Sequence, residues 1–449
     1  MTDDKPLGLE DITAWFAAGA KPAADWRVGA EHEKFGFHFG DHSTLPYEGE
    51  SGIKALMQGL TDRFGWRPVE EGGHVIALAR DGASVSLEPG GQFELSGAPL
   101  ADAHAIRNET ANHLAEVRAV GSDLGLGFLG LGFHPTIRRD QAEIMPKGRY
   151  DLMRRYMPTV GKLGLDMMLR TCTVQANLDF GGEADMVAKF RASLALQPVV
   201  TALFANSPFI EGRPSGFLST RANVWTDTDP DRTGLLGFVF EEGFGFETYA
   251  RYALDVPMYF VKRDGKYIDV AGQSFRDFMD GRLPGLPGER PTIKDWEDHT
   301  TTLFPEVRLK TFLEMRGADS GPLDMLCALP ALWIGLLYDD AALHAALDLV
   351  KGWSLADMQG LRDTVPRLGL KAQIAGRPLR DVAVDMVAIA RQGLAARAVA
   401  SDAANDETGH LEALEDIADS GVTLAERWLE RFHGEWNGDI AGAFRDCAY

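Results

Sequence analysis

Apolar and polar positions alternate through RVGAEHEKFGFHF, residues 27–39, with the period of a half-buried strand, and two carboxylates, Glu31 and Glu33, stand inside that run. A helical period follows near 52–64 and ends before FGWRP. GHVIALARDGASVSLEPGGQFELSG alternates again: its Asp-Gly pair predicts a hairpin turn, and Gly90-Gly91 predicts a bend or a close backbone approach. Over 101–123, Ala105, Ile106, Leu114, Val117 and Val120 recur at roughly helical spacing, and LGLGFLGLGFHP then reads as a strand or hairpin. RTCTVQANLDF at 170–180 reads as a strand, and 183–206 as a helix with a kink at Pro198. Stretches 207–236 and 280–300, rich in Pro, Gly and Asp, read as long loops, and amphipathic runs near 339–350, 378–398 and 411–433 make the C-terminal part helical. Strands mixed with helices early and a helical tail predict an α+β chain built on an antiparallel sheet, and no clean linker divides it.

Charge narrows the partners. The 66 acidic and 45 basic residues give a formal charge of −21, which repels a phosphate backbone and anionic lipid, so neither nucleic acid nor membrane is an expected partner. MLCALPALWIGLLY at 325–338 is too short to span a bilayer, is interrupted by Pro330, and reads as a core helix. MTDDKPLGLEDITAWF begins with acids and lacks the basic start and apolar segment of a secretory signal, so a cytoplasmic location is expected. Cys172, Cys327 and Cys447 are odd in number and contain no CxxC, which indicates neither a disulfide framework nor a thiolate metal site.

Several motifs fail on context. Gly125, Gly127 and Gly130 match G-x-G-x-x-G, but they follow a helix and lead into a strand, the reverse of a dinucleotide fold, so tight packing explains them better. Asp227, Asp229 and Asp231 open like a calcium loop, yet Arg232 takes the required glycine place and Phe238 the closing glutamate place; a hydrogen-bonded turn fits instead. There is no P-loop and no HExxH.

The acidic strands carry the chemistry. Alternation puts Glu31 and Glu33 on one face and His32 and Lys34 on the other. At an effective dielectric of about 20 and a spacing near 6.5–7 Å, two such carboxylates repel by roughly 2.5 kcal/mol, which a bridging cation would reverse. Gln92, Glu94 and Ser96 share a face in the same way, as do Gln175, Asn177 and Asp179, and Glu314 with Arg316. If these faces converge they form an oxygen-rich concavity suited to Mg²⁺ or Mn²⁺; alternatively, each is the solvated side of an antiparallel sheet. Lys147, Arg149 and Arg221 could hold an anionic substrate or serve in surface ion pairs, and spacing does not separate the two.

Taken together, GAEHEKFGF, SLEPGGQFELSGAPL, MPKGRYDLMRRYMP, GLDMMLRTCTVQANLDF, FANSPFIEG, YALDVPMYF and FPEVRLKTFLEMRGAD closely resemble the plant-type glutamate–cysteine ligases, over nearly the whole chain. The resemblance implies a glutamine synthetase-like catalytic fold, a curved antiparallel sheet funnel flanked by helices, as one catalytic domain over 1–449. It implies ATP as co-substrate with Mg²⁺, or Mn²⁺ in its place, and L-glutamate and L-cysteine as partners of a monomer or homodimer. Carried over, Glu31, Glu33, Glu94, Gln175 and Glu314 are similar to the metal-binding set, Arg149 and Arg221 to substrate-binding arginines, and Arg316 to an arginine contacting the transferring phosphate. The implied reaction activates the glutamate γ-carboxylate as an acyl phosphate, captured by the cysteine amine as the first step of glutathione synthesis. Transfer to another amine, or a binding protein without turnover, remain the alternatives. Plant members carry two regulatory cysteine pairs; here Cys327 faces Arg107 in the first, and Val270 and Gly285 replace the second, so disulfide switching is not expected.

Overall fold

The computed structural model describes residues 6–399 and 406–449. The alternating segments all enter one sheet. Its strands are β1 (Val28–His38), β2 (Arg67–Glu71), β3 (His74–Arg80), β4 (Ala83–Leu87), β5 (Phe93–Ser96), β6 (Leu126–Leu129), β7 (Thr173–Leu178), β8 (Val307–Leu309) and β9 (Leu313–Asp319). Among the described residues the spatial order is β8-β9-β7-β1-β5-β4-β3-β2, with β6 on the far half of β1, and every pairing is antiparallel. β1 is therefore the spine, paired on both edges by strands far from it in the chain.

Local signals set the turns. Asp81 and Gly82 both take positive φ, 50° and 87°, in the two-residue connection between β3 and β4, the left-handed pair that such a hairpin requires. Gly90 and Gly91 separate β4 from β5: Gly91 has φ 83°, and a Cβ on Gly90 would stand 2.4 Å from the Leu169 carbonyl oxygen, so both the bend and the close approach are present. Gly127 and Gly130 are packing glycines, since a Cβ there would meet Phe37 and the Gly321 carbonyl. Asp229 and Arg232 form a fully buried ion pair at 2.6 Å inside the hydrogen-bonded turn expected there.

Three expectations are corrected. The 280–300 stretch ends in a helix, Ile293–Thr300, started by reciprocal bonds between Thr292 and Asp295, and its buried Trp296 and His299 anchor it, so tertiary packing overrides a turn-rich composition. Stretch 207–236 likewise holds the short helix Thr220–Val224, capped by Ser219. β1 is not half-buried: of its eleven residues only Glu31 and His38 escape full burial, because both sheet faces are covered.

On one face, Val174, Ala176 and Leu178 pack with Leu313 and Met315 against the helices Glu183–Leu203 and Leu323–Leu337. Each large apolar side chain buried there contributes about 1.5–3 kcal/mol relative to exposure. The first of these helices runs unbroken through Pro198, and the second is the expected core helix. No single helix among the described residues is long and apolar enough to cross a membrane. The other face, with Glu31 and Glu33, floors a cleft walled by the helices Gly148–Val160, Gly164–Arg170 and Thr220–Val224.

Candidate active site

Register brings the acidic positions together. Glu33 lies directly opposite Glu94, Glu31 lies between Ser96 and Gln175, and Glu314 lies opposite Asn177. The polar faces of β1, β5, β7 and β9 thus form one floor. His32 and Lys34 point the other way, where the buried Lys34 ammonium meets the Phe93 carbonyl oxygen at 3.0 Å and His113 at 3.1 Å.

Each β1 and β5 carboxylate is tethered by one oxygen. Asn177 Nδ2 donates to Glu31 at 2.8 Å, the Thr173 backbone N–H to Glu33 at 3.0 Å, and Ser86 Oγ to Glu94 at 2.7 Å. The remaining oxygens crowd one another: Glu31 and Glu94 come within hydrogen-bonding contact, which is favourable only with a proton or a cation between them. Burial, and then Glu314 and Glu94, push the Glu31 carboxyl up to about 7 from 4.5. Burial and the neighbouring Glu88 and Glu94 raise Glu33 well above its ordinary value, and burial with Glu88 raises Glu94. Among the described residues no three His, Cys, Asp or Glu side chains already converge to hold an ion alone. The set fits a hard cation in chemistry, to which Gln175 could add an amide oxygen and water the remaining ligands.

Glu314 behaves differently. Arg308 grips both its oxygens, at 2.6 and 2.7 Å, and Arg316 adds a bond at 2.8 Å. Burial alone would raise this carboxyl, but Arg308, Lys310 and Arg316 outweigh it and hold it far below the carboxylate range. Arg316 also donates to Gln175 Oε1 at 2.6 Å, and is aimed there by a bulge: Met315 pairs with Ala176 and Ala318 with Val174, so Arg316 and Gly317 together oppose Gln175. Gly317 is needed because a Cβ would stand 2.5 Å from the Gln197 amide.

Basic and aromatic groups form the walls. Arg149, Arg221 and Arg316 line the cleft with Trp225, Phe260 and Phe304. The Nε–H groups of Arg149 and Arg221 are buried and have no partner among the described residues, so both guanidinium groups retain unspent donors. Arg221 is positioned by a buried network: its backbone N–H donates to Ser207 Oγ, which donates to Asp319, and its NH2 donates to the Arg316 carbonyl oxygen at 2.7 Å. Asn206, Ser207 and Ser219 all bond Asp319, which accounts for the NSPF and RGAD segments. Sequence reasoning missed Glu88, which lines the cleft beside Glu33 but sits in a turn with no period, and Arg308, whose pairing with Glu314 depends on the register of β8. It also missed Trp225, which neither a period nor a motif marked.

The model of glutamate-cysteine ligase family 2 matches residues 27–446. The chain belongs to this family. It is 54% identical over 445 residues to the glutamate–cysteine ligase, chloroplastic, of Arabidopsis thaliana, covering 99% of this chain and 84% of that one. It is 51% identical to glutamate–cysteine ligase B, chloroplastic, of Oryza sativa subsp. japonica, covering 99% and 88%. A crystal structure of the glutamate–cysteine ligase of Francisella tularensis in complex with AMP superposes with a TM-score of 0.54 over 95% of this chain and 90% of that chain, at 12% identity, which establishes the shared ligase fold. The cytoplasmic expectation is overturned, because relatives this similar are named chloroplastic. It rested on the first residues of the chain, and a compartment address is read independently of the catalytic fold.

The regulatory-pair positions can be placed within the family. Arg107 bonds Asp324 at 2.8 Å beside Cys327, and Val270 lies against Gly285, whose added Cβ would stand 2.7 Å away. All three cysteines are free and buried, and burial pushes the Cys327 thiol up to about 12. Activity assayed after mild oxidation and after reduction is therefore expected to agree; a large reversible loss on oxidation would refute this.

Proposed function

We propose that this chain, acting as one catalytic unit over 1–449, joins the γ-carboxylate of L-glutamate to the amine of L-cysteine at the expense of ATP. The observation that carries the reading is the pairing, across one cleft, of a carboxylate floor with arginines that hold unspent donors, in a chain of this family. Arg149 and Arg221 hold the glutamate or the γ-glutamyl phosphate through those donors. A glutamate γ-oxygen attacks the terminal phosphorus of ATP as the bond to ADP breaks. The cysteine nitrogen then attacks the acyl carbon, loses a proton, and phosphate leaves. Arg316, fixed by Gln175 and Glu314, faces the charge that moves between these groups. Trp225, Phe260 and Phe304 keep water from the acyl phosphate between the two steps.

Glu31, Glu33, Glu94 and Gln175, with Glu88 beside them, are the groups that would hold Mg²⁺ or Mn²⁺. When bound, such an ion neutralises phosphate charge. Glu314 would join them only by sharing an oxygen now committed to arginine. The fold raises the Glu31 carboxyl from 4.5 to about 7, so folding takes up a proton and, through this group, loses stability as pH rises across that window. A cation favours the ionised form and acts in the opposite sense. The gain in melting temperature with millimolar Mg²⁺ is therefore expected to be larger near about pH 8 than near about pH 5. Equal gains at both would count against these carboxylates as the cation site.

The reaction itself is tested by phosphate release with glutamate, ATP and Mg²⁺ while the amine is varied. Cysteine is expected to give the strongest turnover; stronger turnover with another amine would reassign the acceptor, and none with any amine would favour a binding protein.

A further inference from the structure

Away from the catalytic cleft, the first turn of the helix Ala103–Leu124 meets the 3₁₀ turn Glu407–Leu411. There His104 Nδ1 and His410 Nε2 lie 2.9 Å apart, brought together over 306 residues of chain. The ring centroids are 4.8 Å apart with planes at 61°, an edge-on approach of the two rings. They line a cavity of about 660 Å³ together with Asp324, Asp406, Glu412 and Arg107. Arg107 engages Asp324 at 2.8 Å, whereas Asp406 uses only Oδ1, to cap Thr408, and its Oδ2 accepts no hydrogen bond from the described residues.

We propose that His104 and His410 anchor a site for a transition-metal dication of the zinc class, with the Asp406 carboxylate as third protein ligand and water completing the shell. Imidazole nitrogens 2.0–2.1 Å from a tetrahedral ion are about 3.3 Å apart, so the pair needs to open by about 0.4 Å. Ligation requires an uncharged imidazole, and burial with the neighbouring His104 holds His410 down at about 4. One proton lies between the facing nitrogens. On ligation it moves to the other nitrogen of the donor ring, and His104 Nε2, buried without a partner among the described residues, can accept it without breaking a bond seen there. Among the described residues no three ligating side chains already converge, so Asp406 swings in on binding. The site joins the start of one helix to a segment near the C-terminal end and uses none of the catalytic groups.

The test is Zn²⁺ binding by the full chain in competition with a chromophoric chelator, with Mg²⁺ in excess to hold the oxygen-ligand cleft. One Zn²⁺ per chain is expected at micromolar concentration, with affinity at least about 10-fold weaker in both His104→Gln and His410→Gln. Ligase activity in Mg²⁺ should match wild type in both variants, which reports that they fold. Cu²⁺ on the wild-type chain should show hyperfine splitting from two nitrogens, a readout independent of any variant. Absence of Zn²⁺ binding, wild-type affinity in either variant, or a copper spectrum without two nitrogens overturns the proposal and leaves an ordinary hydrogen bond between two rings.

Discussion

Replacing Arg316 by lysine is expected to lower kcat by about 10²–10³-fold, with a much smaller change in the glutamate KM. Arg316 spends one NH1 group on both Gln175 Oε1 and Glu314 Oε1, at 2.6 and 2.8 Å, and the bulge in β9 aims it into the cleft. A lysine keeps the charge but not the planar fork, so it cannot hold those two oxygens and still face the transferring phosphoryl group. The fold should survive, because Glu314 keeps its two bonds from Arg308. Steady-state kinetics together with a melting curve separate the cases. A merely structural arginine would lower the melting temperature and leave kcat of the folded fraction unchanged, and that result would remove Arg316 from the chemistry.

The second large effect is expected from Glu33→Gln. The amide keeps an oxygen for the Thr173 N–H, so the tether at 3.0 Å is preserved while one charge is removed from the group formed with Glu88 and Glu94. Two consequences of opposite sign follow. Without divalent cation the variant should melt at or above the wild-type temperature, because a buried carboxylate facing like charges is lost. With cation, the Mg²⁺ concentration needed for half-maximal activity should rise at least about 10²-fold, since a charge at about 4 Å from a dication is worth several kcal/mol even at an effective dielectric near 20. Magnesium titrations of activity and of melting temperature measure both. Full activity at limiting Mg²⁺ would show that Glu33 is not part of the cation site.

The residues of this site that could be read from the chain are those on strands. A period of two assigns Glu31, Glu33, Glu94 and Gln175 to faces without knowledge of their neighbours, and it sends His32 and Lys34 to the opposite side. Glu88 could not be found this way, because it sits in the turn before Gly90, where no period operates. Trp225 and Phe304 were equally silent, as aromatics in elements of two or three residues, too short to show a period, look the same whether they line a cleft or fill a core. The role of Glu314 was only half legible: its face was clear, but not that Arg308 on the neighbouring strand would occupy both its oxygens.

The boundary between the two sources of information follows from range. Periodicity, turn chemistry and charge act over a few residues, and by themselves they determined the antiparallel hairpin at Asp81-Gly82, the break at Gly90-Gly91, the buried helix near Leu323–Leu337 and the polar strand faces. Tertiary structure alone decided that β1 lies between β5 and β7 with Glu33 opposite Glu94, that the bulge in β9 turns Arg316 toward Gln175, and that a turn-rich stretch becomes the helix Ile293–Thr300. Pairing register and burial are properties of segments far apart in the chain, and their energies arise only when the whole sheet and its covering helices are in place.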